Sequence, residues 1–197
     1  MVGAKPAQAV AQTPAVETVY LSLGANLGDC RRSLREAIAR LADSLNISLD
    51  TNRDVARLFR TSPVGCEGGQ APYLNTVVRI RTPLAPRALL TLTQGIESEL
   101  GRVRHGTTGA RNQPRPIDID ILLYGHIAFA AHDLAIPHPR LTERRFVLEP
   151  LLDLSPDLVL PRLGVSVSDA AHACTLQHAD QSISIAAKQG RAHGETS

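Results

Sequence analysis

The spacing of hydrophobic and polar positions divides the first two thirds of the chain into alternating and helical stretches. Alternation of period two predicts strands, and apolar residues three to four apart predict helices. In chain order the pattern predicts a strand from Thr18, a helix after Asp29, a strand within 47–59, a strand over 74–82, a helix from Pro86 to about Gly101, and a strand over 115–125. This order is typical of an α+β domain with a ferredoxin-like βαββαβ antiparallel sheet and helices packed on it.

The last of these strands, RPIDIDILLYG, carries two aspartates. Its alternation predicts Ile117, Ile119, Ile121 and Leu123 on one face, with Asp118, Asp120, Leu122 and Tyr124 on the other. Two carboxylates on one face lie roughly 6 to 7 Å apart along a strand, and they repel each other unless water or a cation reaches both. Solvation at a sheet edge is one explanation. We expect this strand to lie centrally in the sheet, which favours a bound cation.

The two ends of the chain differ in composition from the middle. Residues 1–17 are rich in Ala, Pro and Gln and lack the apolar segment of a secretory signal, so we expect a disordered N-terminal extension. The main domain is predicted to span 18–161 and to include a further helix over 141–154. Residues 162–197 are rich in Ala, His and Ser and predict a weakly structured C-terminal extension.

Composition excludes several classes of protein. Hydrophobic residues make up 43% and charged residues 20% of the chain, and no apolar run is long enough for a membrane span. A net charge of +2 is too small to indicate nucleic-acid binding. The 3 cysteines are widely spaced, which argues against a disulfide framework or a structural zinc site and favours a cytoplasmic location.

Two loops have compositions typical of binding sites. TSPVGCEGGQAP, over 61–72, is a loop of about 12 residues between two strands, and loops of that length are often functional. GRVRHGTTGARNQP, over 101–114, leads into the aspartate strand. The arginines in and beside it are Arg102, Arg104, Arg111 and Arg115. Any one of them alone is most simply surface charge, but together with the aspartates they favour a site where Mg²⁺ and guanidinium groups bind phosphate.

Five groups of motifs, taken together, resemble one family. They are LSLGANLGD, RTSPVG followed by PYLNTVV, IESELGRVR, PRPIDIDILLYG and IPHPRLTERRFVLEPLLDLSPDL. In this order they are similar to the 6-hydroxymethyl-7,8-dihydropterin pyrophosphokinases of folate biosynthesis, over roughly 18–161. The resemblance implies a ferredoxin-like enzyme that transfers pyrophosphate from ATP to the pterin hydroxymethyl oxygen and releases AMP, with two Mg²⁺ ions. It also implies ATP and the pterin as partners, and we expect a monomer that binds neither nucleic acid nor membranes.

The resemblance also implies roles for individual residues. Arg102, Arg115, Asp118 and Asp120 match catalytic positions, and the two aspartates would hold both metals. The positions matching ATP contacts are Gln94, Glu97, Arg104, Arg111, Ile119, His138 and Arg144. Those matching pterin contacts are Val64, Gly65, Tyr73, Asn75 and Phe146. Without the resemblance, Tyr73 and Phe146 would be core residues, Asn75 a turn residue at a strand end, and His138 a loop histidine.

The chain departs from the family pattern in one loop. Asn112 and Gln113 stand where the family usually has Trp-Gly, and the loop over 102–115 is a few residues longer than in short members. This change bears on how the loop closes over ATP. The rival hypothesis is a ferredoxin-like module without catalysis, either a nucleotide sensor or an RNA-binding domain. An RNA-binding sheet of this fold would present several aromatic residues for base stacking, whereas these strands present carboxylates.

Overall fold

The computed structural model describes residues 15–63, 70–103, 113–178 and 180–186. Its strands are β1 (Glu17–Ala25), β2 (Phe59–Thr61), β3 (Tyr73–Thr82), β4 (Asp118–Tyr124), β5 (Phe129–Ala130), β6 (Ala135–Ile136) and β7 (Ile183–Ile185). Its helices are α1 (Cys30–Leu45), α2 (Pro86–Glu99), α3 (Arg145–Leu154) and α4 (Val167–Gln177), with a 3₁₀ turn at Leu141–Glu143 before α3. The predicted βαββαβ order is confirmed, but the second strand, expected within 47–59, begins only at Phe59 and extends into the predicted loop.

The main sheet is antiparallel, with the strand order β4-β1-β3-β2-β7. The expected central position of β4 is wrong, because β1 and β3 take the centre and β4 lies at an edge beside β1. The outer side of β4 is partly covered, since the His138 N–H donates to the Leu122 carbonyl at 2.9 Å. Strand order depends on how distant segments pair, so the alternation within β4 carries no information about it.

One face of the sheet packs against α1 and α2. Alternate residues of β1, among them Val19, Leu21 and Leu23, meet Leu34 and Leu41 of α1 in a fully buried core. Asp29 begins α1 as its N-cap, because the side chain accepts a hydrogen bond from the Arg32 N–H at 3.0 Å. The predicted helix after Asp29 is therefore confirmed.

The other face of the sheet is covered over only part of its area, by α3 and α4. A second core forms there between the sheet and the helices. Tyr20 belongs to this core, and its hydroxyl lies 3.0 Å from the Ser155 hydroxyl at the end of α3. Beyond Tyr20, the next two residues of β1 on this face are Ser22 and Gly24, which lie in the uncovered part of the sheet.

A β-bulge alters the predicted alternation of β4. The register with β1 shifts between Tyr20 and Leu21, so that Leu122 and Leu123 both belong to the second core. Tyr124 belongs to the first core instead. The predicted faces of Leu123 and Tyr124 are therefore wrong, because a bulge is set by pairing with the neighbouring strand. The bulge follows the aspartates, whose shared face is confirmed.

The C-terminal extension is more ordered than its composition predicts. Ser166 caps α4 by accepting a hydrogen bond from the Asp169 N–H at 3.0 Å, and Val167, Ala170, Ala171 and Cys174 of the helix are buried. Strand β7 then pairs with β2. The expectation of weak structure is thus wrong for these two elements, because α4 is stabilised by packing on α3, which local composition does not reveal. None of the helices in the described ranges is long and apolar enough to span a membrane.

Candidate active site

A cavity of about 540 Å³ opens on the uncovered part of the second sheet face. Its described lining residues are Ser22, Gly24, Thr61, Ser62, Tyr73, Asn75, Arg102, Arg115, Asp118, Asp120, His138, Arg140, Arg144 and Phe146. They come from β1, β2, β3, β4 and the segments around α2 and α3. The cavity therefore gathers polar side chains that are far apart in sequence.

The two aspartates of β4 share this cavity with the small side chains of β1. In the strand register Ser22 lies opposite Asp120 and Gly24 lies opposite Asp118. Short side chains at these two positions leave space above the sheet beside the carboxylates. Sequence reasoning missed Ser22 and Gly24, although the alternation in TVYLSLG predicts both on the same face of the strand.

In the described part of the chain, three arginines face the carboxylates. Arg102 forms ion pairs with both Glu97 and Asp118. Arg115 Nη1 lies 2.8 Å from the other oxygen of Asp118, and Arg144 Nη1 lies 3.8 Å from Asp120 Oδ2. Each carboxylate thus has at least one arginine nearby, and the cavity carries closely spaced charges of both signs.

Glu97 supports this arrangement from beneath the cavity. Its side chain is 1% exposed, and its Oε1 accepts a hydrogen bond from the Ile119 N–H at 2.7 Å. The same oxygen pairs with Arg102. Burial lowers the pKa of Arg102, but the charges of Asp118 and Glu97 outweigh that effect and raise it overall. Glu97 therefore ties α2 to β4 and fixes the guanidinium between them.

The charge balance is different at Asp120. The pKa of Asp120 is raised to about 6, chiefly by partial burial in the cavity and next by the negative charge of Asp118, while Arg144 opposes the rise. Burial lowers the pKa of Arg144, while Asp120 acts in the other direction. Among the described residues, the negative charge of Asp118 is paired with two close guanidinium groups, whereas Asp120 is paired with the more distant Arg144.

Asn26 holds the backbone of Arg115. The Arg115 N–H donates to Asn26 Oδ1 at 2.8 Å, and the Asn26 N–H donates to the Arg115 carbonyl at 3.1 Å. The side-chain amide of Asn26 also donates to the Ala71 carbonyl at 3.4 Å. This residue, which sequence reasoning did not single out, fixes where the arginine loop returns to the sheet.

An amide and two aromatic rings lie at the other end of the cavity. Asn75 is buried, and its Nδ2 donates to Thr61 Oγ1 at 2.8 Å. Its Oδ1 lies close above Gly24, where an added Cβ would come within 2.6 Å of that oxygen. Tyr73 and Phe146 are half-buried and line the cavity, so they are not simply core residues. The guanidinium of Arg144 lies 5.4 Å from the Phe146 ring centroid.

His138 lies at the edge of the cavity as a neutral side chain. Burial lowers the pKa of His138 to about 4, and the positive charges of Arg144 and Arg140 add to the effect. The Arg140 N–H donates to Nδ1 of His138 at 3.2 Å. Because Nδ1 is the acceptor, the neutral ring carries its proton on Nε2.

Comparison with known proteins identifies the family. The model of the 7,8-dihydro-6-hydroxymethylpterin-pyrophosphokinase family matches residues 20–156. The chain belongs to this family. It is 43% identical over 135 residues to the 2-amino-4-hydroxy-6-hydroxymethyldihydropteridine pyrophosphokinase of Bacillus subtilis, covering 68% of this chain and 76% of that protein. It is 41% identical over 139 residues to the enzyme of that name from Porphyromonas gingivalis, covering 70% of this chain and 90% of the other.

Solved structures confirm the fold of this pyrophosphokinase. The wild-type HPPK-DHPS of Plasmodium falciparum with SDX-DHP superposes with a TM-score of 0.64 at 14% sequence identity, covering 86% of this chain. The chain spans only 46% of that protein. At such low identity the similarity concerns the fold alone. The sequence-based expectations of a ferredoxin-like fold and of a dihydropterin pyrophosphokinase are both confirmed.

The structure brings together most, but not all, of the predicted site residues of the pyrophosphokinase. The four predicted catalytic residues line the cavity, as do His138, Arg144, Tyr73, Asn75 and Phe146. Gln94, Glu97 and Ile119 are not among its described lining residues. Glu97 lies behind Arg102, and the Ile119 side chain packs in the first core. Val64, Gly65, Arg104 and Arg111 lie outside the described residues.

Sequence reasoning also missed Thr61, Ser62 and Arg140, which line the cavity. The motif RTSPVG contains Thr61 and Ser62, but polar residues at the start of a loop are too common to stand out. Arg140 directly follows His138 and Pro139, and its nearness to the predicted His138 was the one indication of its place in the site. Each of the three depends on tertiary contacts for its place in the cavity.

The oxygen ligands of the cavity fit magnesium. Mg²⁺ commonly binds one or two protein carboxylates and completes its octahedral shell with water and substrate phosphates. Asp118 and Asp120 offer carboxylates from one face of β4. Among the residues that the structure describes, no cluster of three or more His, Cys, Asp or Glu side chains forms a fuller metal site. Two carboxylates on one face match the number of ligands that Mg²⁺ commonly takes from a protein.

Proposed function

We propose that this pyrophosphokinase takes the pyrophosphoryl group from ATP in a Mg²⁺-dependent reaction, with Asp118 and Asp120 as the metal ligands. Transfer to the hydroxymethyl oxygen of the pterin gives AMP and the pterin diphosphate. The observation that carries the proposal is the carboxylate pair facing Arg102, Arg115 and Arg144 in one cavity. The same cavity contains an amide and two aromatic rings.

Glu97, Arg102, Arg115, Asp118 and Asp120 form what we call the phosphate side. Attack at the β-phosphorus requires in-line positioning and neutralisation of the phosphate charge more than a strong base. Asp118 and Asp120 would hold magnesium, which would supply positive charge to offset that of the phosphates and the leaving group. Arg102 and Arg115 now pair with Asp118, and they would exchange that partner for phosphate oxygens when ATP binds. Glu97 keeps Arg102 in place during this exchange.

Thr61, Tyr73, Asn75 and Phe146 form what we call the pterin side. A pterin is planar and has hydrogen-bond donors and acceptors along its edge, so an amide and aromatic rings suit it. With Asn75 Nδ2 donating to Thr61, the amide oxygen is the atom that we assign to the pterin. Asn75 Oδ1 then accepts from the pterin, while the rings of Tyr73 and Phe146 contact its faces.

Neutral His138 supplies a hydrogen bond without adding charge. With Nδ1 occupied by the Arg140 N–H, its Nε2–H is the available donor. We place this donor against a phosphate or adenine acceptor of ATP. In this role His138 orients the nucleotide.

The test is AMP release from ATP and Mg²⁺, with and without 6-hydroxymethyl-7,8-dihydropterin. We expect pterin-dependent AMP formation in the wild type and a loss of about 10³-fold or more in kcat for Asp118→Ala, since metal and arginine organisation both depend on that carboxylate. Asp157→Ala, at an exposed position outside the cavity, is the matched control. Unchanged turnover in Asp118→Ala would contradict the metal assignment.

Magnesium dependence is measured separately by removing the ion with EDTA and adding it back. Activity should disappear and return with Mg²⁺, and AMP formation in EDTA would contradict the proposal. The monomeric state, the absence of nucleic-acid binding and the cytoplasmic location stay predictions.

A further inference from the structure

The family match ends at residue 156, so the segment after α4 lies outside it. This segment nevertheless contacts both walls of the cavity. Gln181 is the central residue of this segment and is 6% exposed. Its Oε1 accepts from the Arg145 N–H at 3.0 Å, and its Nε2 donates to the Glu143 carbonyl at 3.2 Å. Its backbone carbonyl accepts from Arg145 Nη1 at 2.9 Å. Three hydrogen bonds therefore join Gln181 to one short stretch of chain.

That stretch carries two residues of the cavity. Arg144 lies between Glu143 and Arg145, and Phe146 follows directly. Helix α3 begins here without a cap from its own side chains, because Arg144 at the N-cap makes no capping bond. The first N–H groups of a helix lack intrahelical partners and need an acceptor from elsewhere. Gln181 supplies that acceptor from 36 residues away.

The residues next to Gln181 hold the opposite wall. The Ser62 N–H donates to the Ser182 carbonyl, and the Ser182 N–H donates to the Ser62 hydroxyl, both at 3.2 Å. Strand β7 then pairs with β2, with Ile183 opposite Thr61. Thr61 in turn accepts the hydrogen bond of Asn75. One continuous segment thus connects the strand that orients Asn75 with the turn that presents Phe146 and Arg144.

We propose that Gln181 is a positioning residue for the pyrophosphokinase reaction, which acts by holding the turn at residues 143–145 so that Arg144 and Phe146 face the cavity. The inference rests on the proposed function, in which Phe146 contacts the pterin and Arg144 lies beside Asp120. Loss of the two side-chain hydrogen bonds would let this turn move relative to Asn75 and the aspartates. Small displacements of that kind cost large factors in rate when geometry limits the reaction.

The test compares Gln181→Met with Gln177→Met. The first removes the two side-chain hydrogen bonds and keeps a side chain of similar size, and the second makes the same change at an exposed position at the end of α4. Steady-state kinetics are measured below the onset of unfolding, with separate titrations of pterin and nucleotide. We expect kcat/KM for the pterin to fall about 10- to 100-fold in Gln181→Met, with far-UV circular dichroism unchanged. Gln177→Met should match the wild type.

A third variant separates positioning from general stabilisation. Gln181→Glu keeps an acceptor for the Arg145 N–H but loses the donor to Glu143, so we expect its kcat/KM to lie between those of wild type and Gln181→Met. If Gln181→Met fails to fold, Gln181→Glu provides the measurement. Wild-type kinetics in a folded variant that is merely less heat-stable would overturn the inference.

The inference and the proposed reaction fail in distinguishable ways. Absence of pterin-dependent AMP in the wild type refutes the reaction whatever Gln181 does. Titration of the protein with the pterin in the absence of ATP measures pterin affinity, and this still tests the positioning of Phe146. Equal pterin affinity in wild type and Gln181→Met, together with equal turnover, would overturn the role of Gln181.

Discussion

The two ends of the cavity are stabilised in different ways. On the phosphate side, every residue belongs to the span from α2 to β4, and each carboxylate contacts an arginine or a backbone N–H. On the pterin side, the residues come from β2, β3 and the start of α3. A hydrogen bond joins Asn75 to Thr61, and the Phe146 ring lies beside the guanidinium of Arg144. Apart from Arg144, which pairs with Asp120 from the start of α3, the charged network lies within one span of the chain. The pterin side depends instead on strands and turns that distant segments hold in place.

The difference predicts how each end responds to mutation. A change on the phosphate side should affect nucleotide binding and turnover together, because its charges share partners. A change on the pterin side should affect the pterin selectively, because its contacts are local to one amide and two rings. Three further experiments test this contrast.

The largest effect is expected from Glu97→Gln. The substitution keeps an oxygen for the Ile119 N–H but removes the buried charge that pairs with Arg102. Hydrogen bonds to charged groups contribute about 1.5–3 kcal/mol, so we expect kcat/KM for ATP to fall by about 10- to 100-fold. Steady-state kinetics with varied ATP measure this.

Glu99→Gln is the matched control for that experiment. Glu99 lies on the same helix and pairs with Arg40 at 2.5 Å, but both side chains are exposed. Surface ion pairs contribute little, so its kinetics should stay within about twofold of wild type. If Glu97→Gln lowered pterin affinity and left the ATP parameters unchanged, the contrast between the two ends would be wrong.

The carboxylate pair shows why the phosphate side was largely predictable from sequence. Asp118 and Asp120 share a face because they are two positions apart, and that relation holds in any strand. Arg102 and Arg115 flank the same strand. The edge position of β4 and its bulge were not predictable in this way, since both arise from pairing with β1.

Much of the pterin side could not be read from local patterns. The family resemblance indicated Asn75, Tyr73 and Phe146, but it did not indicate the residues that hold them in place. Thr61 becomes informative only when β2 pairs with β3, and Gln181 only when the extension folds back on α3. A buried glutamine that caps a helix 36 residues away has no periodicity to reveal it.

A smaller and more selective effect is expected from Thr61→Val. Valine has nearly the same shape but cannot accept the hydrogen bond from Asn75 Nδ2, which lies 2.8 Å from the threonine oxygen. The amide is then free to rotate, and a buried N–H loses its partner, at a cost of about 1–3 kcal/mol. We expect pterin affinity to fall about 10-fold by calorimetric titration, with ATP affinity unchanged.

Thr76→Val provides the comparison. Thr76 is also a buried threonine, and its hydroxyl donates to the Ala56 carbonyl at 2.8 Å, but it faces away from the cavity. This variant should lose stability and keep pterin affinity. Equal losses of pterin affinity in the two variants would mean that general loosening of β3, and not the orientation of Asn75, causes the effect.

The smallest effect is expected from the titration of His138, which lies at the edge of the cavity. Its pKa in the folded protein is about 4, below the ordinary value of 6.5, so the unfolded chain binds a proton first as the pH falls. The stability that neutral His138 contributes is therefore complete above pH 6.5 and is lost as the pH falls towards 4.

The ring resonance in NMR, assigned with His138→Gln, should accordingly titrate near pH 4. Arg140→Ala should raise this pKa by removing a nearby positive charge, whereas Arg87→Ala, far from the cavity, should not. A resonance that titrates near pH 6.5 would mean that His138 is solvated and can carry charge beside the phosphate side.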